Sequence, residues 1–177
     1  MNEIIQKAIE LGAEEAAFVN TSDLKFDKIF RKYCEDNRCG FYNKNYMCPP
    51  DIGTFEEVKS KVLAFEKGIF FKTVSPIESF SDEESLEKAA LRHNNIAQKI
   101  RLYLKDSGYG DILPMATKCR YCKVCSKTLN KTCAFPELAI GCLSAYCIDV
   151  LNTADNLSMN YNLGDKQIAY FGLVLFK

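Results

Sequence analysis

The sequence predicts an α/β fold, or the related α+β arrangement: a single layered domain with a small central sheet, flanking helices and two cysteine-rich metal-binding loops. Three observations carry this expectation. Strand-like and helix-like segments alternate along the chain. At 177 residues, 47% of them hydrophobic, the chain is long enough to bury one continuous core. The stretches 34–53 and 119–147 lose periodicity and between them hold all nine cysteines. Residues 1–177 thus read as one metal-binding domain, with no internal repeat and no low-complexity linker.

Residues 2–11 predict an amphipathic helix, because Ile4, Ile5, Ala8, Ile9 and Leu11 fall near one face and Gly12 follows. Ala16 to Val19 is a short apolar run suited to a buried strand. Ser22 or Asp23 is placed to cap a helix carrying Leu24, Phe26, Ile29 and Phe30 toward Cys34. The first loop, 34–53, is rich in Asn, Gly, Pro and Cys. Thr54 with Glu57 forms a capping box for a helix running to about Lys67, with Gly68 as its stop and Ile69–Val74 as the next strand. Ser81-Asp82 opens the longest helix, to about Ser107, with Leu86, Ala89, Ala90, Ile96, Ile100 and Leu104 on its apolar face. Gly108-Tyr109-Gly110 is a stop and turn, and nothing beside its two glycines supports a phosphate loop. Ile112–Met115 predicts a strand that delivers the chain to the second loop. A helix near 143–155 and a strand from Gln167 to Phe176 complete the order.

Lys plus Arg and Asp plus Glu stand at 23 each, so no global field recruits nucleic acid or an anionic membrane. No run of eighteen apolar residues supplies a membrane span. The segment Met1 to Lys7 lacks the basic-then-apolar order of a signal peptide, which places the expected location in the cytoplasm. There thiols stay reduced, and an odd count of nine cysteines argues against a disulfide framework. The oligomeric state is left open.

The second loop is the more specific signal. It reads Cys119-Arg-Tyr-Cys122-Lys-Val-Cys125, then Cys133-Ala-Phe-Pro136. Cysteines at steps of three place three sulfurs around one small volume, as in the first part of the bacterial ferredoxin run. The gap to the fourth cysteine is longer here, and the proline comes three residues after it. The first loop reads Cys34-x4-Cys39, then Cys48-Pro49-Pro50, with Phe41, Tyr42 and Tyr46 between the thiols, either to keep water off a cluster or simply to pack. Zinc prefers paired Cys and His knuckles. The one histidine, His93, lies mid-helix and far from both loops, and reads as an ordinary, partly exposed helix residue. The pattern favours iron–sulfur over zinc.

These residues resemble a known family. The run Cys34-x4-Cys39-x2-Tyr42-x-Lys44-Asn45-x2-Cys48-Pro49-Pro50, the triplet Cys119, Cys122 and Cys125, then Cys133-x-Phe135-Pro136-Glu137 and Ile148-Asp149-Val150 are similar to the predicted metal-binding family called domain of unknown function 2284. The likeness extends from Arg31 to the strand at Gly172–Leu175. It implies a cysteine-bound metal, expected as iron–sulfur. Family members tend to have Arg-Pro-Ser where this chain has Ile140-Gly141-Cys142, and Gly where it has Cys147. Seven cysteines therefore match the family and two are extra.

Two 4Fe-4S cubanes need eight thiolates if each iron has one protein ligand. Cys119, Cys122, Cys125 and Cys133 complete one set, which leaves Cys34, Cys39 and Cys48 one short. Cys142 or Cys147 is the hypothesised eighth ligand; the alternatives are that both merely pack, or that Cys133 serves the first set. The expected function is an iron–sulfur protein with one or two clusters that passes electrons to a redox partner protein. The alternatives are a zinc-stabilised interaction module and an enzyme working at an open cluster iron; against the enzyme, no acid–base pair at useful spacing and no nucleotide loop is visible. Arg31, Lys32, Arg38, Lys118, Arg120, Lys123, Lys127 and Lys131 flank the sulfurs as a basic rim.

Overall fold

The computed structural model describes residues 2–164 and 166–177. Its elements follow the expected order with one unexpected short strand, β4: α1 (Asn2–Glu10), β1 (Glu15–Asn20), α2 (Ile29–Glu35), α3 (Phe55–Leu63), β2 (Lys67–Pro76), α4 (Glu83–Asp106), β3 (Ile112–Ala116), β4 (Gly141–Cys142), α5 (Val150–Asn156) and β5 (Gln167–Phe176). The five strands form one sheet in the order β1-β2-β5-β3-β4. All neighbours are antiparallel except β3 and β4, which run parallel with Ala116 beside Cys142.

β5 is the central strand. It pairs along its whole length with β2, from Lys67 opposite Phe176 to Pro76 opposite Gln167, and with β3 on its other edge. Side chains alternate across a strand, so Phe171, Leu173 and Leu175 enter one core layer while Val174 and Phe176 enter the other. α1 and α4 cover the second layer through Ile4, Ala8, Ile96, Ile100 and Leu104. α3, α5 and the turn before Ile148 cover the first through Val58, Val62, Tyr146 and Ala154. A strand buried on both faces reads as a continuous apolar run, which is what Phe171–Phe176 shows.

Three boundaries differ from expectation. Ser22 and Asp23 sit in a short 3-10 turn, Thr21–Asp23, and cap no α-helix. Leu24 is extended and Phe26 forms an antiparallel bridge with Ile148, because the backbone here ties to the far end of the chain: Asp27 N–H donates to Cys147 O at 2.9 Å and Asp149 N–H to Lys25 O at 2.8 Å. α2 therefore begins at Ile29, whose N–H donates to Asp27 Oδ1 at 2.9 Å. α3 has the expected capping box at Thr54 and Glu57 but ends at Leu63, so Lys67 already belongs to β2. Gly68 is no helix stop. It lies inside β2, where an added Cβ would stand 2.6 Å from Leu175 Cδ2 and 2.7 Å from Val174 O. The helix expected near 143–155 is split into a 3-10 turn, Leu143–Tyr146, and α5. Cys147 at φ +59° breaks it, and Asp149 starts the new helix by accepting from Asn152 N–H at 3.0 Å.

His93 is corrected too: it is fully buried rather than partly exposed. It falls on the sheet-facing stripe of α4 with Ala89, Ala90, Ala97 and Ile100, a stripe on which polar positions count as much as apolar ones. Its ring stacks on Phe71 at 5.0 Å and its Nδ1 lies 2.8 Å from Thr73 Oγ1. Burial lowers its pKa from 6.5 to about 3. A folded-state pKa below the unfolded one means the unfolded chain takes up a proton first as pH falls. The stabilisation is therefore present above pH 6.5 and lost progressively toward pH 3. Denaturant unfolding at pH 7 and pH 5 should differ by about 2 kcal/mol from this group alone. A His93→Gln variant should lose that increment of pH dependence while keeping the rest, and equal slopes in both proteins would refute the assignment.

Candidate metal centre

The nine cysteines are all free thiols, and eight of them fall into two sets. The first set lines a cavity of about 380 Å³ and comprises Cys34, Cys39, Cys48 and Cys142. Cys34 sits in the last turn of α2, Cys39 and Cys48 on the first loop, and Cys142 at the end of β4. The second set lines a smaller cavity of about 20 Å³ and comprises Cys119, Cys122, Cys125 and Cys133. Cys147, the ninth, borders neither cavity; it is fully buried in the core layer of Tyr146 and Ile148.

Local sequence explains the first loop. Asn37 and Asn43 take left-handed backbone at φ +53° and +57°, which asparagine tolerates. Asn37 Oδ1 accepts from Tyr42 N–H at 3.0 Å, and Asn43 N–H donates to Pro49 O at 2.9 Å. Cys48 N–H donates to Asn45 O at 3.0 Å and Cys48 O accepts from Ile52 N–H at 3.1 Å, so Cys48 is held at both ends and buried. Gly141 is required next to it: a Cβ there would lie 2.9 Å from the Tyr146 ring and 3.4 Å from Met47 O. That close approach brings β4, and with it Cys142, onto the first loop.

The second loop hangs from α4. Asn94 Oδ1 accepts from Thr117 N–H at 3.0 Å and Asn94 Nδ2 donates to Lys118 O at 2.9 Å. One turn on, Gln98 Nε2 donates to Leu138 O at 3.1 Å. These two buried amides pin the entry and the exit of the cysteine run. They were not singled out by sequence, although an Asn inside a long helix is a poor helix former whose side chain needs another use. The two loops are also tied to each other: Tyr46 Oη donates to Lys131 O at 2.7 Å, Asn45 Nδ2 to Cys119 O at 3.4 Å, and Lys127 pairs with Asp51 at 2.5 Å.

The cavities adjoin. Met47 lines the second and Cys48 the first, while Lys118 lines the first and Cys119 the second. Each junction is a single peptide step, about 3.8 Å between Cα atoms. Among the described residues, no three Cys, His, Asp or Glu groups converge so as to hold one metal ion. A tetrahedral zinc with bonds near 2.3 Å would need sulfurs within about 3.8 Å of one another. The thiols line the walls of the two cavities.

Burial raises the thiol pKa of Cys34 to about 11 and of Cys48 to about 12, with neighbouring thiols, Cys142 foremost, adding to it. Arg31 acts in the opposite direction on Cys34. Cys142 and Cys147 are likewise raised by burial. Thiols in this state give up protons only when a cation takes their place, so metal binding here releases protons and strengthens with pH.

The basic rim is mostly engaged. Arg120 pairs with Glu87 at 2.8 Å, Lys118 lies 3.5 Å from the Phe41 ring centroid, and Arg38 stacks on Tyr33 at 4.6 Å. Lys123 and Lys131 are exposed and make no ion pair among the described residues. Asp149, part of the motif Ile148-Asp149-Val150, is a helix cap and partner of Lys25 at 3.2 Å and lines neither cavity, while the next residue, Val150, lines the first.

Metal-free protein should show graded thiol reactivity. At pH 8, pKa values of about 11 and 12 leave Cys34 and Cys48 about a hundredfold and a thousandfold less thiolate than an ordinary thiol at 9.0. Mass-spectrometric alkylation timing should find both slow in the folded protein and fast after denaturation; prompt labelling of Cys48 in the fold would contradict the geometry.

Comparison with known proteins places the chain. It matches the family described as predicted metal-binding protein (DUF2284) over residues 17–176, and belongs to that family. No curated protein and no solved structure matches it.

Proposed function

From membership of a predicted metal-binding family, we propose that this chain holds two iron–sulfur clusters and serves as a small electron-transfer protein. The observation that carries this reading is the pairing of two four-thiol sets, around two adjoining cavities, joined by the peptide steps Met47–Cys48 and Lys118–Cys119. Cys34, Cys39, Cys48 and Cys142 would hold one cluster; Cys119, Cys122, Cys125 and Cys133 would hold the other. Clusters in these places supply one-electron redox chemistry. The step-three spacing of Cys119, Cys122 and Cys125 and the Cys48-Pro49 pair support iron–sulfur over zinc. A fourth thiol at Cys142 would leave no iron open in the first set, which favours electron transfer over catalysis at an open iron.

The protein's own residues prepare both sites. Asn94 and Gln98 hold the second loop to α4, and Gly141 admits β4 against the first loop. Tyr42 of the first loop and Tyr170 and Phe171 of the sheet line the cavity of the first set.

The second loop is the side suited to a partner. From Ile112 to Pro136 there are five basic residues and no acidic one. Val124, Leu129 and Phe135 on it are exposed, and Lys123 and Lys131 stand beside them. An apolar centre ringed by lysines complements an acidic redox protein.

Two outcomes test this. Protein purified without oxygen should be brown and carry about eight irons and eight sulfides per chain. Cys142→Ser should remove about half, and Cys147→Ser should remove none. Stoichiometric zinc with no sulfide would end the electron-transfer reading. Charge reversal at Lys123 and Lys131 together should slow reduction of an acidic flavodoxin roughly tenfold at low salt, with the difference shrinking at high salt; an unchanged rate would remove this face as the docking site.

A further inference from the structure

The sheet divides between β5 and β3. β3 pairs with β5 from Phe176 to Leu173 and then runs beside β4, where Ala116 meets Cys142. Ala169, Tyr170 and Phe171 pair with Val74, Thr73 and Lys72 of β2 on one edge and have no strand partner on the other among the described residues. The first cavity lies at this division, lined by those three residues of β5 together with Ala116, Thr117 and Cys142. Its volume of about 380 Å³ falls in the range of small-molecule pockets, roughly 300–1,000 Å³.

Cysteines supply only part of this lining. Leu143, Ala145, Val150 and Phe171 add an apolar wall, and Lys118 and Arg120 add charge. These two are the only charged residues that line the cavity among the described residues, and both are cationic. Lys118 is half-buried, with its ammonium 3.5 Å from the Phe41 ring centroid, and it makes no ion pair among the described residues. Arg120 donates through Nε to Glu87 at 2.8 Å and through Nη1 to Thr117 Oγ1 at 2.8 Å and Lys118 O at 3.1 Å. Its Nη2 makes no hydrogen bond among the described residues. Glu87 thus offsets one of the two charges, and the other is left without a carboxylate. The two residues stand two positions apart, so their Cα atoms are no more than about 7 Å from each other.

We propose that the first cavity takes a small organic carboxylate, its anionic end at Lys118 and Arg120 and its apolar body against Val150, Ala169 and Phe171. A few cationic donors on an otherwise apolar wall orient a ligand of this class and discriminate against its neutral analogue, which leaves the cations without a counter-charge. A bare phosphate would leave the apolar wall uncovered. The carboxylate ligates no metal here, since the four thiols of the cavity fill that role. The site is built from residues other than cysteine; that its ligand has a cluster for a neighbour rests on the two-cluster reading above.

Its test is fluorine NMR of para-fluorobenzoate titrated into protein purified without oxygen, with iron, sulfide and zinc measured on the same sample. Wild type should shift and broaden the fluorine signal saturably, and para-fluorobenzamide, the neutral analogue, should bind about tenfold more weakly. Lys118→Gln should weaken binding of the acid by about the same factor and leave that of the amide unchanged, at wild-type iron content. Ala169→Leu, remote in sequence from every cysteine, should fill the cavity and remove saturable binding of both. If Lys118→Gln sheds iron, Ala169→Leu and the comparison of acid with amide decide. Equal affinity for acid and amide, or acid binding that survives Ala169→Leu, overturns this inference. So does iron-loaded wild type that shows no saturable binding, and that result leaves the two-cluster reading standing. Protein with zinc and no sulfide that still prefers the acid ends the two-cluster reading and supports the carboxylate site.

Discussion

The antiparallel ladder between β2 and β5 is the constraint from which the rest of the molecule follows. Ten residues of each strand pair without interruption, and the two glycines within the ladder, Gly68 and Gly172, let neighbouring side chains cross where a Cβ would collide with Leu175 or with the Phe71 ring. Both faces of the pair are covered, so every alternate residue of β5 contributes to a core layer. The rigidity matters because the elements that bear thiols are themselves short. α2 is seven residues, β4 is two, and the second loop has only 3-10 turns. None could hold its position without the sheet behind it.

Two kinds of attachment carry that rigidity outward. One is polar and specific: Asn94 and Gln98 bond to backbone at the two ends of the second loop, so the loop's span is set by one turn of α4. The other is steric: Gly141 admits close contact between β4, Tyr146 and the first loop. The long-range ties of Asp27 to Cys147 and Asp149 to Lys25 then close the first site from behind, placing Arg31 against Ala145. A change at Asn94 would be expressed at the second set, and one at Gly141 at the first, although neither residue bears a thiol.

The electrostatic design differs between the sets. Around the first, burial pushes the thiols of Cys34 and Cys48 far up, and the half-buried Arg31 guanidinium pulls back on Cys34. Around the second, Lys123 and Lys131 are exposed, where water and salt screen them, while Lys127 is half-buried against Asp51. A buried charge tunes what lies beside it, whereas an exposed one steers what approaches.

The element order, the capping box at Thr54 and Glu57, the cap at Asp82 and the full extent of β5 were legible in the sequence because each rests on local periodicity or a local hydrogen bond. The family was legible too, since cysteine and proline spacing is a local pattern. What the sequence could not reveal were relations across distance. It left Cys142 and Cys147 equivalent; the parallel β3–β4 pair and the left-handed turn at Cys147 put one at the first cavity and the other in the core. It placed His93 partly in water, and α4 turned it onto Phe71. It read Gly68 as a stop and Ser22 as a cap, where strand packing and the bridge from Phe26 to Ile148 overrode the local preference. Local chemistry determines which segments form and which thiols are available. Only the packing of segments distant in sequence decides which thiols share a space, because that choice is made by contacts that no short window contains.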